Sequence, residues 1–223
     1  MTVFLPCRAG SERVPFKNTR EFAGVHGGLL RLKLESLSDI KQIDHIVVST
    51  NDQDVMRIIR ELNLPKVSID KRPENLATSA TSTDALIYYV PQIIDDEDII
   101  WTHVTSPFLS KESIEKAIHI YKEDSKYDSV MSVNKIQTFL WDAKQPLNYD
   151  RKIEKWPRTQ TIEPLFEVNS GFFISSRKNY ITYQDRIGQN PYLYVTQGFE
   201  SLDVDWPQDF EMAEFIYKKK YAQ

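Results

Sequence analysis

An α/β domain with a largely parallel sheet is the fold class this sequence predicts, and three features predict it. Short apolar runs, Val3-Phe4-Leu5 and His45-Ile46-Val47-Val48-Ser49-Thr50, alternate with stretches whose apolar residues recur at helical spacing. The runs read as strands covered on both faces, as parallel sheets require. The chain has 223 residues, 41% hydrophobic and 27% charged, the balance of one soluble globular domain with a sizeable core.

The elements follow in order. The first strand stops at Pro6 and gives way to Cys7-Arg8-Ala9-Gly10-Ser11-Glu12-Arg13, a small-residue loop that continues to Lys17 and Asn18. Leu29, Leu30, Leu34 and Leu37 predict an amphipathic helix from about residue 29 to 38. After the strand ending at Thr50, Asn51-Asp52 caps a helix carrying Val55, Ile58, Ile59 and Leu62 on one face, and Leu64-Pro65 closes it. Arg72-Pro73-Glu74-Asn75-Leu76-Ala77 reads as loop, and residues 78–83 cap a helix beginning near Asp84. A strand is expected over residues 99–104, then Thr105-Ser106-Pro107, then a helix capped by Ser110 with Ile114, Ala117, Ile118 and Tyr121 facing inward. Residues 129–133 read as a strand. Periodicity then fades from about residue 134 to 164, and so long a loop is expected to hold small structure of its own. Phe172-Phe173-Ile174 restores a strand, and Pro207 suits the first turn of a closing helix with Lys218, Lys219 and Lys220 at its C-terminal end.

The net charge of −4 argues against a nucleic-acid binder held by a diffuse basic field. A local basic cluster in a mildly acidic chain points to a small anionic ligand. Cys7 is the only cysteine, so no internal disulfide forms and a reducing compartment is expected. The N-terminus lacks a signal-peptide pattern, and no apolar run approaches the roughly 20 residues that span a bilayer. The expectation is a cytoplasmic protein without membrane contact.

Four segments carry candidate chemistry. In the opening loop, Ala9 and Gly10 let backbone N–H groups approach a polyanion, while Arg8 offers a planar fork and Lys17 a point charge to phosphate oxygens. No G-x-x-x-x-G-K-[ST] and no G-x-G-x-x-G occurs, which excludes a P-loop and argues against dinucleotide binding. Asp203-Val204-Asp205 on an extended segment places two hard carboxylates on one side, about 7 Å apart, a spacing at which they can share Mg²⁺. Read locally, Asp205 equally well caps the helix entered at Pro207. Thr102-His103-Val104-Thr105 lies at a strand's carboxyl end, where open α/β sheets bind ligands, and His103 can donate a hydrogen bond or rest in the interior. Arg158 and Gln160 suit a carboxylated, hydroxyl-rich molecule or a solvated surface.

Taken together, these segments resemble the acylneuraminate cytidylyltransferases and, more distantly, the Kdo cytidylyltransferases. The family's first loop, P-A-R-G-G-S-K-x-x-P-x-K-N, matches Pro6 through Asn18 in order and spacing. Arg72-Pro73-Glu74-Asn75-Leu76-Ala77 matches R-P-x-x-L-A, and Ser82-Thr83 falls in the stretch that reads the pyrimidine. Thr102 through Leu109 corresponds to L-Q-P-T-S-P-L, Asn169-Ser170-Gly171 to N-G-[AG], and Asp203-Val204-Asp205-Trp206-Pro207 to D-I-D-T-P. The resemblance implies a Rossmann-like nucleotidyltransferase fold in a single domain. The implied reaction needs Mg²⁺: the anomeric hydroxyl of a nine-carbon or eight-carbon 2-keto sugar acid attacks the α-phosphate of CTP. It assigns Arg8, Ala9, Gly10, Ser11, Lys17, Arg72, Ser82 and Thr83 to the nucleotide, and Asp203 and Asp205 to the metal. The metal or Asp205 is further implied to help deprotonate the hydroxyl, and Arg8, Lys17 and Asp205 form the catalytic set. His103, Thr105, Arg158, Gln160 and Asn169 fall to the sugar, and residues 134–164 to a dimerisation arm of a homodimer.

This chain departs from the family pattern at Ala9, Phe16 and Ser170, where glycines are usual, and at His103 and Val104, where Gln and Pro are usual. The phosphate and metal residues are kept and the sugar side is altered, so the identity of the acid stays open, as does a base other than cytosine. A metal-dependent glycosyltransferase and a non-catalytic sugar-nucleotide binder are the competing readings.

Overall fold

In the computed structural model, which describes residues 1–221, β1 (Thr2–Pro6) and β2 (His45–Thr50) pair in parallel from Thr2↔His45 to Pro6↔Ser49. Both are almost wholly buried, which is why Val3-Phe4-Leu5 and Ile46-Val47-Val48 run apolar without alternation. Between them lie the opening loop and α1 (Gly28–Ser38), whose four predicted leucines are all buried. Gly28 opens α1 at φ 55°, and a Cβ there would stand 2.0 Å from the Arg20 carbonyl oxygen, so only glycine fits this approach. α2 (Gln53–Leu62) starts where the Asp52 carboxylate accepts the Asp54 N–H at 2.9 Å and ends at Asn63 in the left-handed conformation.

The chain then forms β3 (Val67–Lys71), an edge strand parallel to β2 to which the sequence reading assigned no element. Its residues are only half-buried, and two apolar side chains, Val67 and Ile69, do not stand out from their surroundings. α3 (Thr83–Ile93) follows, then the fully buried β4 (Asp98–Thr102) and α4 (Lys111–Glu123), capped by Ser110 as predicted. β4 ends two residues earlier than expected, because its ladder stops at Thr102↔Phe172. His103 and Val104 therefore belong to the loop beyond it.

β5 (Ser129–Ile136) outruns its predicted end and pairs with the long antiparallel β6 (Leu165–Ser176). α5 (Arg177–Tyr183), β7 (Pro191–Val195) and α6 (Pro207–Tyr221) complete the chain, with Pro207 in the first turn of α6. The sheet has seven strands in the order β3-β2-β1-β4-β6-β5-β7, and β6 alone runs against its neighbours. One face packs on α1, α2, α4 and α6. On the other, Phe4, Val47 and Trp101 meet Ile87 and Val90 of α3 and Tyr180 of α5, with Phe4 and Trp101 edge to face at 4.7 Å.

The connection between β5 and β6 has the small structure its length called for. Asn148 is buried there, accepting the Leu140 N–H at 3.2 Å and donating to the Thr138 and Glu163 carbonyl oxygens. Phe139 packs on Tyr149 and Trp156, while Ile153 and one side of Trp156 stay exposed. Among the described residues no helix is long and apolar enough to cross a membrane.

Candidate active site

The order β3-β2-β1-β4 means that successive strands leave β1 in one direction and then resume on its other side. Such a switch point opens a crevice at the carboxyl ends of β1 and β4, where α/β sheets bind ligands. A cleft of about 520 Å³ lies there, lined by Arg8 and Lys17 after β1, Arg72 after β3, and His103 and Thr105 after β4. Asp203 and Asp205 line it from the segment entering α6. A smaller lobe shares Arg8, Arg13, Lys17, His103 and Thr105 and extends to Ser11 and Glu12.

The opening loop is braced from beneath. Cys7 N–H donates to the Ser49 carbonyl at 2.9 Å, the Thr50 hydroxyl to the Cys7 carbonyl, and Asn18 carries both the Arg8 carbonyl and the Leu30 N–H. Burial pushes the Cys7 thiol up to about 12, so the sole cysteine is an inert filler. Gly10 takes φ 74°, turning the loop, and Ala9 keeps a negative φ, so its extra methyl costs little. The Ala9 N–H is already given to Asn51 Oδ1 at 2.9 Å, which removes it from the donors a phosphate could use. Arg8 curls over the loop, donating to the Ala9 and Gly10 carbonyl oxygens at 3.1 and 3.0 Å. Phe16 adopts φ 54°, a conformation that favours glycine, with its ring 68% exposed.

The Asp203-Val204-Asp205 segment is tied to the end of β4, the Val204 N–H donating to the Thr105 carbonyl at 2.8 Å. Glu200, unremarked in the sequence, holds the preceding turn. Its Oε1 accepts from the Ser110 amide at 3.1 Å and from the Ser110 and Ser113 hydroxyls at 2.5 and 2.7 Å. Burial works to raise its pKa, and these hydrogen bonds outweigh burial and lower it. Lys17 Nζ lies 2.9 Å from the Val204 carbonyl and 3.2 Å from Asp205 Oδ1, and Arg13 Nη1 is 3.4 Å from Asp205 Oδ2. Arg13 also stacks over Trp206 at 4.8 Å. Lys17 thus links the two segments the sequence reading had placed together only by inference.

Asp203 differs from Asp205. Its Oδ1 is buried with no hydrogen-bond partner among the described residues, and burial holds the carboxyl above the usual range against a hydrogen bond from Thr105, with the Asp205 charge adding to the rise. A buried carboxylate oxygen left without a donor, beside a second cleft-facing carboxylate, fits a hard divalent cation. Among the described residues no group of three or more His, Cys, Asp or Glu side chains forms such a site. Two carboxylates suffice for Mg²⁺, which keeps several waters and takes phosphate oxygens as its remaining ligands.

Arg72 is buried and anchored, its Nε and Nη2 donating to the Ser49 hydroxyl and carbonyl at 3.0 and 2.8 Å. Burial lowers its pKa. Thr83 lines the cleft, whereas the Ser82 hydroxyl is used as the α3 cap, accepting the Ala85 N–H at 3.1 Å. His103 Nε2 accepts the Trp101 indole N–H at 2.9 Å, so the ring proton sits on Nδ1. Burial, then the nearby Arg186, Lys33 and Lys17 charges, push its pKa down to about 3. His103 is therefore a neutral donor and not a base near neutral pH.

The three remaining sugar-side residues of the sequence reading are not among those lining this cleft. Arg158 and Gln160 lie in the β5–β6 connection, where the Gln160 carbonyl accepts from Gln137. Asn169 is a clasp. Residues 169–172 of β6 face Ser132 alone, making a bulge, and Asn169 Oδ1 takes the Ser132 hydroxyl at 2.6 Å and the Gly171 N–H at 3.1 Å. Its Nδ2 donates to Asn134 and Thr196, both at 2.8 Å. The bulge projects Ser170, at φ 58°, to the cleft wall. Sequence reasoning counted Arg13 in the basic loop without giving it a role, and it missed Arg186 and the buried Lys33, whose Nζ donates to the Ser106 carbonyl at 2.9 Å.

A mainly parallel sheet whose switch-point cleft gathers four cations from the first and third strand ends opposite two carboxylates defines a nucleotide-binding α/β domain. The chain belongs to the cytidylyltransferase family, whose model matches residues 2–222. It is 26% identical over 98% of its length to an N-acylneuraminate cytidylyltransferase of Escherichia coli O18:K1:H7, covering 52% of that protein. A pseudaminic acid cytidylyltransferase of Campylobacter jejuni is 22% identical over 96% of this chain and 94% of its own. The chain thus spans about half the length of the N-acylneuraminate enzymes it matches and nearly all of the pseudaminic acid enzyme. A solved CMP:2-keto-3-deoxy-manno-octonic acid synthetase complexed with CTP superposes with TM-score 0.69 at 16% identity over 98% of each chain, so the fold is shared. That fold is the Rossmann-like nucleotidyltransferase fold.

Proposed function

We propose that this chain transfers CMP from CTP to the anomeric 2-hydroxyl of a nonulosonic acid, releasing pyrophosphate. The observation that carries the proposal is the Lys17 bridge, which seats the basic loop after β1 against Asp205 at the switch point. The names of the relatives supply the acceptor class: N-acylneuraminate and pseudaminic acid are both nonulosonic acids. In the reaction the hydroxyl oxygen bonds to the α-phosphorus, the bond from that phosphorus to the bridging oxygen breaks, and its electron pair leaves with pyrophosphate. Arg8, Arg13, Lys17 and Arg72 neutralise the triphosphate, with Gly10 and Ser11 shaping the loop around it and Thr83 at the cleft wall. Asp203 and Asp205 would hold Mg²⁺, which when bound stabilises charge on the phosphate oxygens. Because His103 is neutral and its Nε2 engaged, Asp205 is the acceptor assigned to the hydroxyl proton, while His103 and Thr105 offer donors to the sugar.

We further propose a homodimer formed through the β5–β6 connection, which exposes Trp141, Leu147, Ile153 and Trp156. In that arrangement Arg158 and Gln160 serve the partner's site. The functional proposal is tested by following pyrophosphate release from CTP and Mg²⁺ with a panel of nine-carbon and eight-carbon keto-acids. Release with at least one nonulosonic acid is expected. Nucleotide binding without release for any acid favours a non-catalytic binder and ends the proposal.

A further inference from the structure

Arg186, in the loop between α5 and β7, is a cleft residue with no hydrogen-bond or ion-pair partner among the described residues. Its guanidinium carbon lies 3.7 Å from the Phe173 ring centroid and 5.0 Å from that of Trp101. Stacking covers the faces of the guanidinium and leaves its N–H donors around the rim. No hydrogen bond ties those donors among the described residues, and Asp185 and Tyr180 act on its charge only through space. The contrast is Arg177, which donates to the Pro91 and Ile94 carbonyl oxygens and is structurally committed. A half-buried cation without an anion is costly unless a ligand supplies one. Tyr180 sharpens the point, because its hydroxyl, buried near Arg186, also lacks a partner.

The reaction proposed above brings two anions into one cleft. The cations suited to the triphosphate come from the loops after β1 and β3. Arg186 comes from the other half of the sheet, packed on β4 and β6, and shares the cleft wall with His103 and Ser170. We propose that Arg186 is the residue that binds the carboxylate of the acidic acceptor, through a two-pronged guanidinium–carboxylate pair. The assignment rests on the acceptor reading above, and it replaces Arg158 within a single chain. It also gives a physical reason for the aromatic pair: Trp101 and Phe173 fix the plane of the fork, and His103 Nδ1–H is left to reach a neighbouring sugar oxygen.

The test compares wild type, Arg186→Met and Arg186→Lys on a turned-over nonulosonic acid and on its C1 carboxamide. Methionine keeps the stem that packs on Phe173 and removes the charge. The KM for the acid should rise roughly 10- to 100-fold in Arg186→Met, the range of a hydrogen-bonded charge, and recover in part with lysine. The KM for CTP should stay within about twofold, and Arg186→Met should no longer distinguish acid from carboxamide. A matching rise in the KM for CTP, or equal losses on acid and carboxamide, overturns the assignment. Wild-type turnover with Arg186→Met unchanged overturns it alone. A wild-type protein that turns over no keto-acid overturns the acceptor reading and this assignment with it.

Discussion

Lys33 offers a quantitative handle on the site's electrostatics. It sits on the buried face of α1 among Leu29, Leu30, Leu34 and Leu37, its Nζ donating to the Ser106 carbonyl. Burial lowers its pKa from 10.5 to about 8, and the opposing charge of Asp203 offsets burial only in part. In the unfolded chain Lys33 keeps its proton to about pH 10.5, and in the folded chain only to about pH 8. Between those values the unfolded state binds more protons, so raising the pH favours folding. At ~1.4 kcal/mol per pKa unit the whole shift is worth about 3 kcal/mol. Of this, about 2 kcal/mol falls between roughly pH 7.5 and roughly pH 9.5. Lys33→Met removes the titration and leaves the Ser106 carbonyl without its donor, a loss of about 1–3 kcal/mol at every pH. Urea unfolding of both proteins across this window should show the wild type gaining about 2 kcal/mol on the variant. Tyr89, whose pKa is pushed up to about 12, and the other buried tyrosines act above this window and cancel in the difference. Stability curves that run parallel from pH 7.5 to 9.5, at roughly constant separation, would refute the reasoning.

Other perturbations read out the rest of the framework. Phe16→Gly should relieve a left-handed backbone whose ring is mostly exposed, raising Tm by a few degrees for about 1 kcal/mol; thermal unfolding checks it, and a lowered Tm counts against it. Glu200→Gln should cost about 1–3 kcal/mol near neutral pH by weakening the hydrogen bonds from Ser110 and Ser113. Because the folded pKa of Glu200 is lowered, that contribution is present above the unfolded value of 4.5 and lost as pH falls through the folded value, so variant and wild type should converge in acid. Asp203→Ala and Asp205→Ala should each reduce cytidylyl transfer by about 100-fold or more while leaving a folded chain. Turnover unchanged in both would overturn the assignment of Mg²⁺ to these two carboxylates.

The first half of the chain was readable because its rules are local. β1 and β2 each carry an unbroken apolar core, Val3–Leu5 and Ile46–Val48, and Asp52, Ser110 and Pro207 start helices through their own side chains. β3 and β7 escaped because they are edge strands with every residue half-buried or exposed, although Tyr192-Leu193-Tyr194-Val195 has the composition of a strand. Lys33 was legible and overlooked: it falls on the leucine stripe of α1, where a lysine is conspicuous. Arg186 had no local signal, since Trp101 and Phe173 reach it from strands far away in the chain. Asn169 shows the reverse case: the structure gives its amide to Ser132, Gly171, Asn134 and Thr196 across a bulge, which no local pattern announces.

The central claim is chemical, that an acceptor hydroxyl displaces pyrophosphate from CTP in the cleft between β1 and β4. It is tested most directly by supplying CTP, Mg²⁺ and a nonulosonic acid carrying ¹⁸O at its anomeric hydroxyl, then measuring product mass. The account predicts a CMP-linked sugar that retains the label, beside unlabelled pyrophosphate. An unlabelled CMP-sugar, or no CMP adduct with any acid of the panel, would contradict it.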